Sequence, residues 1–154
     1  PEYSSAASDV YKRQVYESSL IKAFIVSNDE KEKGDRALLN FGHTYGHAFE
    51  AIQSLEGFSH GQAVGLGMIC ASHLSFLLKK ISSDEFEKIK NLIKSAGLPH
   101  ELPVNFDVND FIEAMSRDKK ILDKKLRFIT LRGLGSAEIT EDPPEDLVLK
   151  SINL

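Results

Sequence analysis

The stretch RALLNFGHTYGHAFE, residues 36–50, is followed by HGQAVGLGM, residues 60–68, and together they set the character of this chain. They combine closely spaced glycines with three of the five histidines in the sequence. Beyond the second stretch, residues 62–80 are apolar on almost every side, which predicts a central, buried helix. Glycine costs about 1 kcal/mol relative to alanine inside a helix, so Gly61, Gly65 and Gly67 indicate that another helix or a ligand approaches closely.

The composition limits the class of protein. The chain has 154 residues, of which 42% are hydrophobic and 27% charged, with a net charge of −4. That is enough apolar material for one core, and the acidic balance argues against nucleic acid as a partner. No apolar run is long enough for a membrane span, and no secretory signal pattern is present. The composition therefore predicts a cytoplasmic protein that acts on neither nucleic acid nor membrane.

The single cysteine, Cys70, limits the kind of metal site. One cysteine excludes an internal disulfide framework and fits a reducing compartment. It also excludes a structural zinc site built from several thiolates. Any metal must therefore be held by histidine, aspartate or glutamate. Cys70 itself lies in the apolar helix and is predicted to be a small core residue.

Apolar periodicity, glycines and charged runs divide the chain into short elements. The predicted fold class is mainly α, a helical bundle with one small β-hairpin near the C-terminus. Helices are predicted over 15–26, 38–55, 62–80, 83–97, 107–115 and 145–152, and strands over 126–131 and 137–140.

The first fourteen residues, PEYSSAASDVYKRQ, are polar and small and have no helical or strand period. They resemble translated adapter sequence found at the ends of environmental gene fragments. We therefore predict a non-native or disordered leader over 1–14 and a helical domain over 15–154.

His43 and His47 are spaced i, i+4, so on a helix both imidazoles point the same way. Such a pair can chelate a metal, and it can equally be a pair of ordinary surface or core histidines. The zinc-protease pattern requires glutamate directly after the first histidine, and Thr44 at that position excludes it.

The residues before this pair favour a ligand-binding face. Arg36, Asn40, His43 and His47 recur at i, i+4, i+7 and i+11, which would place them on one side of a long helix. Arginine offers a planar fork for phosphate or carboxylate, and neutral imidazole binds metals or moves protons near pH 7. The stripe therefore indicates an anionic, oxygen-rich ligand.

At these residues the sequence resembles the 3-dehydroquinate synthase family. The two stretches quoted above carry the resemblance, and the Asp118-Lys119-Lys120 triplet and the strand after it extend it. The match is to the C-terminal, mostly helical domain of that family. It implies that residues 15–154 are such a domain, truncated at its N-terminal end.

The resemblance implies an activity and its cofactors. The family converts 3-deoxy-D-arabino-heptulosonate 7-phosphate into 3-dehydroquinate and phosphate, a step of the shikimate pathway. It uses NAD, bound mainly by an N-terminal domain that this sequence lacks, and one divalent metal, Zn²⁺ or Co²⁺. It also implies a small-molecule sugar-phosphate substrate, a homodimer and a cytoplasmic location.

Position by position, the resemblance also implies roles for individual residues. His43 and His60 match the metal ligands, rather than the i, i+4 pair, and His47 matches a catalytic histidine that handles protons. The positions that match substrate-binding or site-lining residues are Lys22, Glu32, Arg36, Asn40 and either Lys119 or Lys120.

The sequence also departs from the family. The family's third metal ligand is a glutamate in a Glu-x-x-Lys motif that is expected well before Lys22, where this sequence has only 21 residues. A glycine-rich NAD loop of the form Gly-x-Gly-x-x-Gly is not found in it. We therefore expect this polypeptide alone to be inactive and to expose apolar surface. Other interpretations are a 2-deoxy-scyllo-inosose or valiolone-type synthase, a glycerol dehydrogenase-type enzyme, and a non-catalytic helical metal-binding module.

Overall fold

The computed structural model describes residues 3–31, 34–52, 58–102, 106–122 and 126–154, with side chains described from residue 8 and not over 118–122. The chain divides into two compact units, Pro1–Leu39 and Asn40–Leu154. The helices are α1 Tyr3–Asn28, a 3₁₀ helix Asp35–Asn40, α2 His43–Ala51, α3 His60–Leu77, α4 Ser83–Ser95, α5 Val108–Leu122 and α6 Glu145–Ser151. The strands are β1 Arg127–Gly133 and β2 Ser136–Glu141. The predicted class, mainly α with one hairpin near the C-terminus, is confirmed.

The first unit contains the long helix α1, which begins twelve residues earlier than the sequence predicts. The expectation that residues 1–14 lack regular structure is therefore wrong from Tyr3 onward. The serines, alanines and long polar side chains of this segment lower helix stability only slightly relative to the best helix formers. Arg13 and Glu17 also form an i, i+4 ion pair of 2.8 Å across the predicted boundary. That the leader is non-native stays a prediction.

Helix α1 exposes an apolar surface. Seven of its large apolar residues are each more than 45% accessible: Val10, Tyr11, Val15, Tyr16, Leu20, Ile21 and Phe24. These side chains lie on several sides of the helix, and exposed apolar surface of this extent is typical of a segment that packs against another part of a protein.

The second unit is built around α3. Helices α2, α4 and α6 and strand β1 all pack against it, and most of its residues from Ala63 to Ser75 are buried. The predicted central helix is thus confirmed. Cys70 is fully buried among the core side chains, as predicted.

Helices α2 and α3 cross at glycines. A Cβ atom on Gly67 would lie 2.2 Å from the carbonyl oxygen of Gly42 and 2.9 Å from the backbone nitrogen of Gly46. A Cβ on Gly65 would lie 3.1 Å from the Leu98 side chain, whereas one on Gly61 would meet no described atom within 4 Å. The predicted close approach is therefore found at two of the three glycines, and at Gly67 the neighbour is another helix.

The segment before α2 differs from the prediction. Instead of one helix over 38–55, the 3₁₀ helix ends at Asn40 and α2 begins at His43. Gly42 between them has φ of 82° and lies so close to α3 that a Cβ would stand 2.6 Å from the Met68 nitrogen. Arg36 therefore does not share a helical face with His43, because this left-handed turn separates them.

The hairpin packs at the C-terminal end of α3. β1 and β2 pair antiparallel, with Ile129 opposite Ile139. The Lys80 ammonium donates to the hydroxyls of Thr130 and Thr140. Ser75 Oγ accepts a hydrogen bond from the Leu131 nitrogen. These bonds fix the hairpin to α3 and to the turn that follows it.

Helix α5 continues to Leu122, beyond the predicted end at residue 115. Its extra turns are polar but contain good helix formers, and Arg117 pairs with Glu113 at i, i+4.

Among the described helices, none combines the length and apolar composition that a membrane crossing requires.

Candidate functional site

Helix α2 has two distinct faces. Tyr45, Ala48 and Phe49 are buried in the core. His43, His47 and Glu50, spaced i, i+4 and i+7, share the other face. The Thr44 hydroxyl donates to the Arg127 carbonyl oxygen at 2.7 Å and so ties the first turn of α2 to β1. The core face and this bond together fix the direction in which the histidines point.

His60 is the first residue of α3 and approaches the same face. Its backbone is fixed by a capping box, in which the Ser59 hydroxyl accepts from the Gln62 nitrogen and the Gln62 side chain accepts from the Ser59 nitrogen. Since the glycine contact brings α2 and α3 together, the two helices place their histidines side by side.

Three imidazoles meet at this point. The ring centres of His43 and His60 are 5.5 Å apart, those of His43 and His47 are 5.8 Å apart, and those of His47 and His60 are 6.3 Å apart. Two imidazoles on one tetrahedral zinc have ring centres about 5 Å apart, from a Zn–N bond of about 2.1 Å. His43 and His60, from two different helices, are the pair nearest to that spacing.

The hydrogen bonds of the rings leave the same nitrogen available in two of them. His60 Nδ1 lies 2.9 Å from Oε1 of Glu50, and His43 Nδ1 lies 3.4 Å from the Phe41 carbonyl oxygen. Because carbonyl and carboxylate oxygens accept, these contacts favour the neutral tautomer in which Nδ1 donates its proton and Nε2 retains its lone pair. The His47 ring makes no hydrogen bond within the described residues.

The donor set fits part of a metal site. Neutral imidazoles suit Zn²⁺ and Co²⁺, and His43 and His60 can supply two nitrogens. Within the described side chains, no group of three histidine, cysteine, aspartate or glutamate residues is arranged to hold a metal. A complete site therefore requires ligands in addition to these two.

The predicted substrate-binding residues fall into separate parts of the chain. Lys22 lies exposed on α1, and Arg36 is half-buried in the same unit. There the Arg36 Nη1 donates to the Glu30 carbonyl oxygen at 2.6 Å, and its backbone nitrogen donates to the Asp29 carboxylate. Asn40 belongs to the unit that contains the histidines and is exposed.

Three predicted residues cannot be placed in a site. Glu32 lies outside the described residues. Lys119 and Lys120 belong to helix α5, and their side chains are outside the described part of the chain.

Sequence reasoning missed Glu50. It ends the motif that identifies the family, and it lies on the histidine face of α2, in contact with His60. Its i+7 spacing from His43 was the available signal. The assignment of no site role to Cys70 agrees with its setting, since burial raises the pKa of its thiol and keeps it neutral.

Comparison with known proteins shows the family of this chain. Residues 2–121 match the family model for the C-terminal part of 3-dehydroquinate synthase. The chain is 43% identical over 144 residues to the 3-dehydroquinate synthase of Acinetobacter baumannii strain AYE, covering 94% of this chain and 40% of that protein. It is 47% identical over 127 residues to the enzyme of Acinetobacter baylyi, covering 82% of this chain and 35% of the relative. The chain thus spans about two fifths of the length of these curated relatives.

Solved structures agree on the fold. A 2-deoxy-scyllo-inosose synthase complexed with carbaglucose-6-phosphate, NAD⁺ and Co²⁺ matches with a TM-score of 0.67 and 26% identity, covering 79% of this chain and 36% of that one. A 2-epi-5-epi-valiolone synthase from Streptomyces hygroscopicus, with NAD⁺ and Zn²⁺ bound, matches with a TM-score of 0.70 and 22% identity, covering 83% and 35%. The second likeness bears on the fold alone. From the family match over most of its length, this chain belongs to the 3-dehydroquinate synthase family and corresponds to its C-terminal domain.

Proposed function

We propose that this chain is the metal- and substrate-binding part of a 3-dehydroquinate synthase. The longer enzyme would convert 3-deoxy-D-arabino-heptulosonate 7-phosphate into 3-dehydroquinate and phosphate, within the shikimate pathway and in the cytoplasm. The observation that supports the proposal best is the meeting of His43, His47 and His60, from two helices, inside the family motif.

In this proposal His43 and His60 hold the divalent metal through Nε2. Their spacing of 5.5 Å and their hydrogen-bonded Nδ1 atoms support it. A Zn²⁺ or Co²⁺ ion bound there would act as a Lewis acid and a template for neighbouring substrate oxygens. The remaining ligands would come from elsewhere in the longer protein.

We assign His47 to proton transfer. Its ring is exposed, lies 5.8 Å from that of His43 and 6.3 Å from that of His60, and makes no hydrogen bond within the described residues. A neutral imidazole in this position can accept a substrate hydroxyl proton near pH 7. Lys22, Arg36 and Asn40 are proposed to bind the phosphate, carboxylate or hydroxyl groups of the substrate. Glu32 and either Lys119 or Lys120 complete the proposed set.

The other partners are proposed for the longer protein. The solved structure of 2-deoxy-scyllo-inosose synthase contains NAD⁺ and Co²⁺, which supports NAD and a divalent metal as cofactors here. The chain spans about two fifths of its relatives and exposes several large apolar side chains of α1. Both facts support the proposal that it works together with an NAD-binding part, in a homodimer.

A sister cyclase, such as a 2-deoxy-scyllo-inosose or valiolone-type synthase, is the second candidate. The likeness to a solved 2-deoxy-scyllo-inosose synthase favours it. The identity is 26% in that case and 43–47% with the Acinetobacter 3-dehydroquinate synthases, and this difference favours the main proposal.

The test is a chimera in which residues 15–154 replace the matching part of the Acinetobacter baumannii enzyme. Phosphate release from 3-deoxy-D-arabino-heptulosonate 7-phosphate is measured with NAD and Zn²⁺ or Co²⁺. We expect turnover, and we expect His47→Ala to lower kcat about 10²- to 10⁴-fold because a proton-transfer group is lost. His100→Ala, at a histidine outside the cluster, is the matched control and should retain the rate.

Two results would contradict the proposal. Turnover by the 154-residue chain alone would show that its site is not half of a larger one. A chimera active on another sugar phosphate, and not on the heptulosonate, would assign the chain to a sister cyclase.

A further inference from the structure

Glu50 is the one carboxylate on the histidine face of α2 within the described residues, and it contacts His60 across the gap between two helices. Its Oε1 lies 2.9 Å from His60 Nδ1. The Glu50 side chain is 32% accessible, whereas that of His60 is 59% accessible. The carboxylate is thus partly shielded from water, and the imidazole it contacts is open on its other side.

We propose that Glu50 is a positioning residue, which holds His60 in the Nδ1–H tautomer and aims its Nε2 at the metal. The inference rests on the proposed function, since it gives His60 a metal to bind. Metal-binding histidines almost always donate their second ring N–H to a carboxylate, a backbone carbonyl or water, and this bond fixes the tautomer and raises the basicity of the ligand nitrogen. Glu50 is of the right chemical type and at the right distance for this role.

The second proposed ligand has the same arrangement. His43 Nδ1 faces the Phe41 carbonyl oxygen at 3.4 Å. Both proposed ligands therefore direct Nδ1 to an oxygen acceptor, whereas His47, which is not proposed as a ligand, has no such acceptor among the described residues. An unrelated surface ion pair would not be expected to follow this division.

A purely structural role is the main alternative, because Glu50 and His60 stand on either side of the connection between α2 and α3. An exposed ion pair contributes little to stability, typically about 0–1 kcal/mol. A structural role would alter the free energy of unfolding and the tautomer of His60, and it would leave the affinity of the chain for metal unchanged. These readouts separate the two roles.

The experiment uses the 154-residue chain, labelled with ¹⁵N. Long-range ¹H–¹⁵N spectra of the metal-free chain at about pH 8, where a free imidazole is neutral, report which nitrogen of His60 is protonated. We expect Nδ1–H in the wild type and a shift toward Nε2–H in Glu50→Ala. Glu50→Gln retains an acceptor oxygen without the charge and should give an intermediate population.

The second readout is the affinity of the same chain for Co²⁺ alone, followed by the paramagnetic broadening of the histidine ring signals. We expect Glu50→Ala to raise the Kd about 10- to 100-fold. Glu113→Ala removes another exposed helical glutamate, paired with Arg117, and serves as the matched control. It should change neither the tautomer nor the Kd.

The outcomes distinguish the inference from the function on which it rests. If His43→Ala and His60→Ala bind Co²⁺ as well as the wild type does, the proposed metal site is wrong, whatever Glu50 does. If those variants lose Co²⁺ but Glu50→Ala retains the wild-type tautomer, or shifts the tautomer with an unchanged Kd, the positioning role is overturned and the metal site stands.

Discussion

Helix α3 contains two histidines, thirteen positions apart, in opposite surroundings. His60 at its start is exposed, hydrogen-bonded to Glu50 and close to two other imidazoles. His73 is stacked against the rings of Phe76 and Phe86, with ring centres 6.2 Å and 5.0 Å away. Its Nδ1 lies 3.0 Å from the Ser151 carbonyl oxygen. In both residues Nδ1 faces an oxygen acceptor, yet within the described part of the chain only the ring of His60 lies beside other imidazoles.

The difference shows that the neighbours of a histidine, more than its place on a helix, decide what it can do. Burial lowers the pKa of His73, so its ring is a neutral packing group. Nearer the start of α3, Gly67 lets α2 approach so closely that polar side chains from two helices meet. A substitution near His60 leaves the contacts of His73 in place, and the reverse also holds, so the two regions can be tested separately.

The largest effect is expected from Gly67→Ala, which should push α2 away from α3 and so separate His43 and His47 from His60. The new Cβ would lie 2.2 Å from the Gly42 carbonyl oxygen, and backbone atoms cannot move aside as a flexible side chain can. We expect the free energy of unfolding to fall by about 3 kcal/mol or more. Urea unfolding of the 154-residue chain measures it, and nuclear Overhauser contacts between the His43 and His60 rings should weaken as α2 moves away.

Gly61→Ala is the matched control on the same helix. A Cβ there meets no described atom within 4 Å, so the substitution should be neutral or stabilise by up to about 1 kcal/mol through helix propensity. Equal destabilisation by the two substitutions would show that the helix crossing does not depend on the close contact at Gly67.

A smaller effect is expected from Tyr45→Phe, which tests whether the core face of α2 is independent of its histidine face. Because the Ser151 hydroxyl donates to the Val148 carbonyl oxygen, the Tyr45 hydroxyl is the donor in its 2.6 Å bond to Ser151. Removing this buried bond should cost about 1 kcal/mol. Urea unfolding should detect the loss, while the Co²⁺ affinity of the histidine face should be unchanged.

Tyr16→Phe, at an exposed tyrosine on α1, is the control for this substitution and should leave stability unaltered. If Tyr45→Phe weakened Co²⁺ binding as much as it weakened the fold, the two faces of α2 would be coupled and the comparison would fail.

The same two regions show how far sequence reasoning goes. The apolar surround of α3 and the alternation of the hairpin strands are local properties, and each led to the right prediction. The grouping of His43, His47 and His60 could also be predicted, because the family motif contains all three. The i+7 spacing of Glu50 from His43 was visible, but its partner His60 is ten positions away on another helix, so no helical period pointed to that contact.

The interruption of the second helix shows why the rest could not be predicted. In sequence, the spacing of Arg36, Asn40, His43 and His47 fits one continuous helical face. In the structure Gly42 adopts a left-handed conformation because the backbone of Met68 lies against it. That contact depends on how α3 packs, and periodicity contains no information about a tertiary neighbour.

The smallest effect is expected from pH, and it sharpens the comparison at the His73 end. The folded pKa of His73 lies below its unfolded value of 6.5, mainly because burial penalises the charged ring. The unfolded chain therefore binds more protons around pH 6.5 and below, so the contribution of His73 to stability is full above pH 6.5 and falls as the pH drops below that value.

His73→Gln retains a donor for the Ser151 carbonyl and cannot titrate, so its unfolding free energy should fall less between about pH 8 and pH 5. Glu85, Glu138 and Asp146 have lowered pKa values through their hydrogen bonds and so contribute at more acidic pH, outside this window. Parallel curves for the wild type and His73→Gln would mean that His73 is solvated as freely as an exposed histidine, and the contrast with His60 would then rest on metal binding alone.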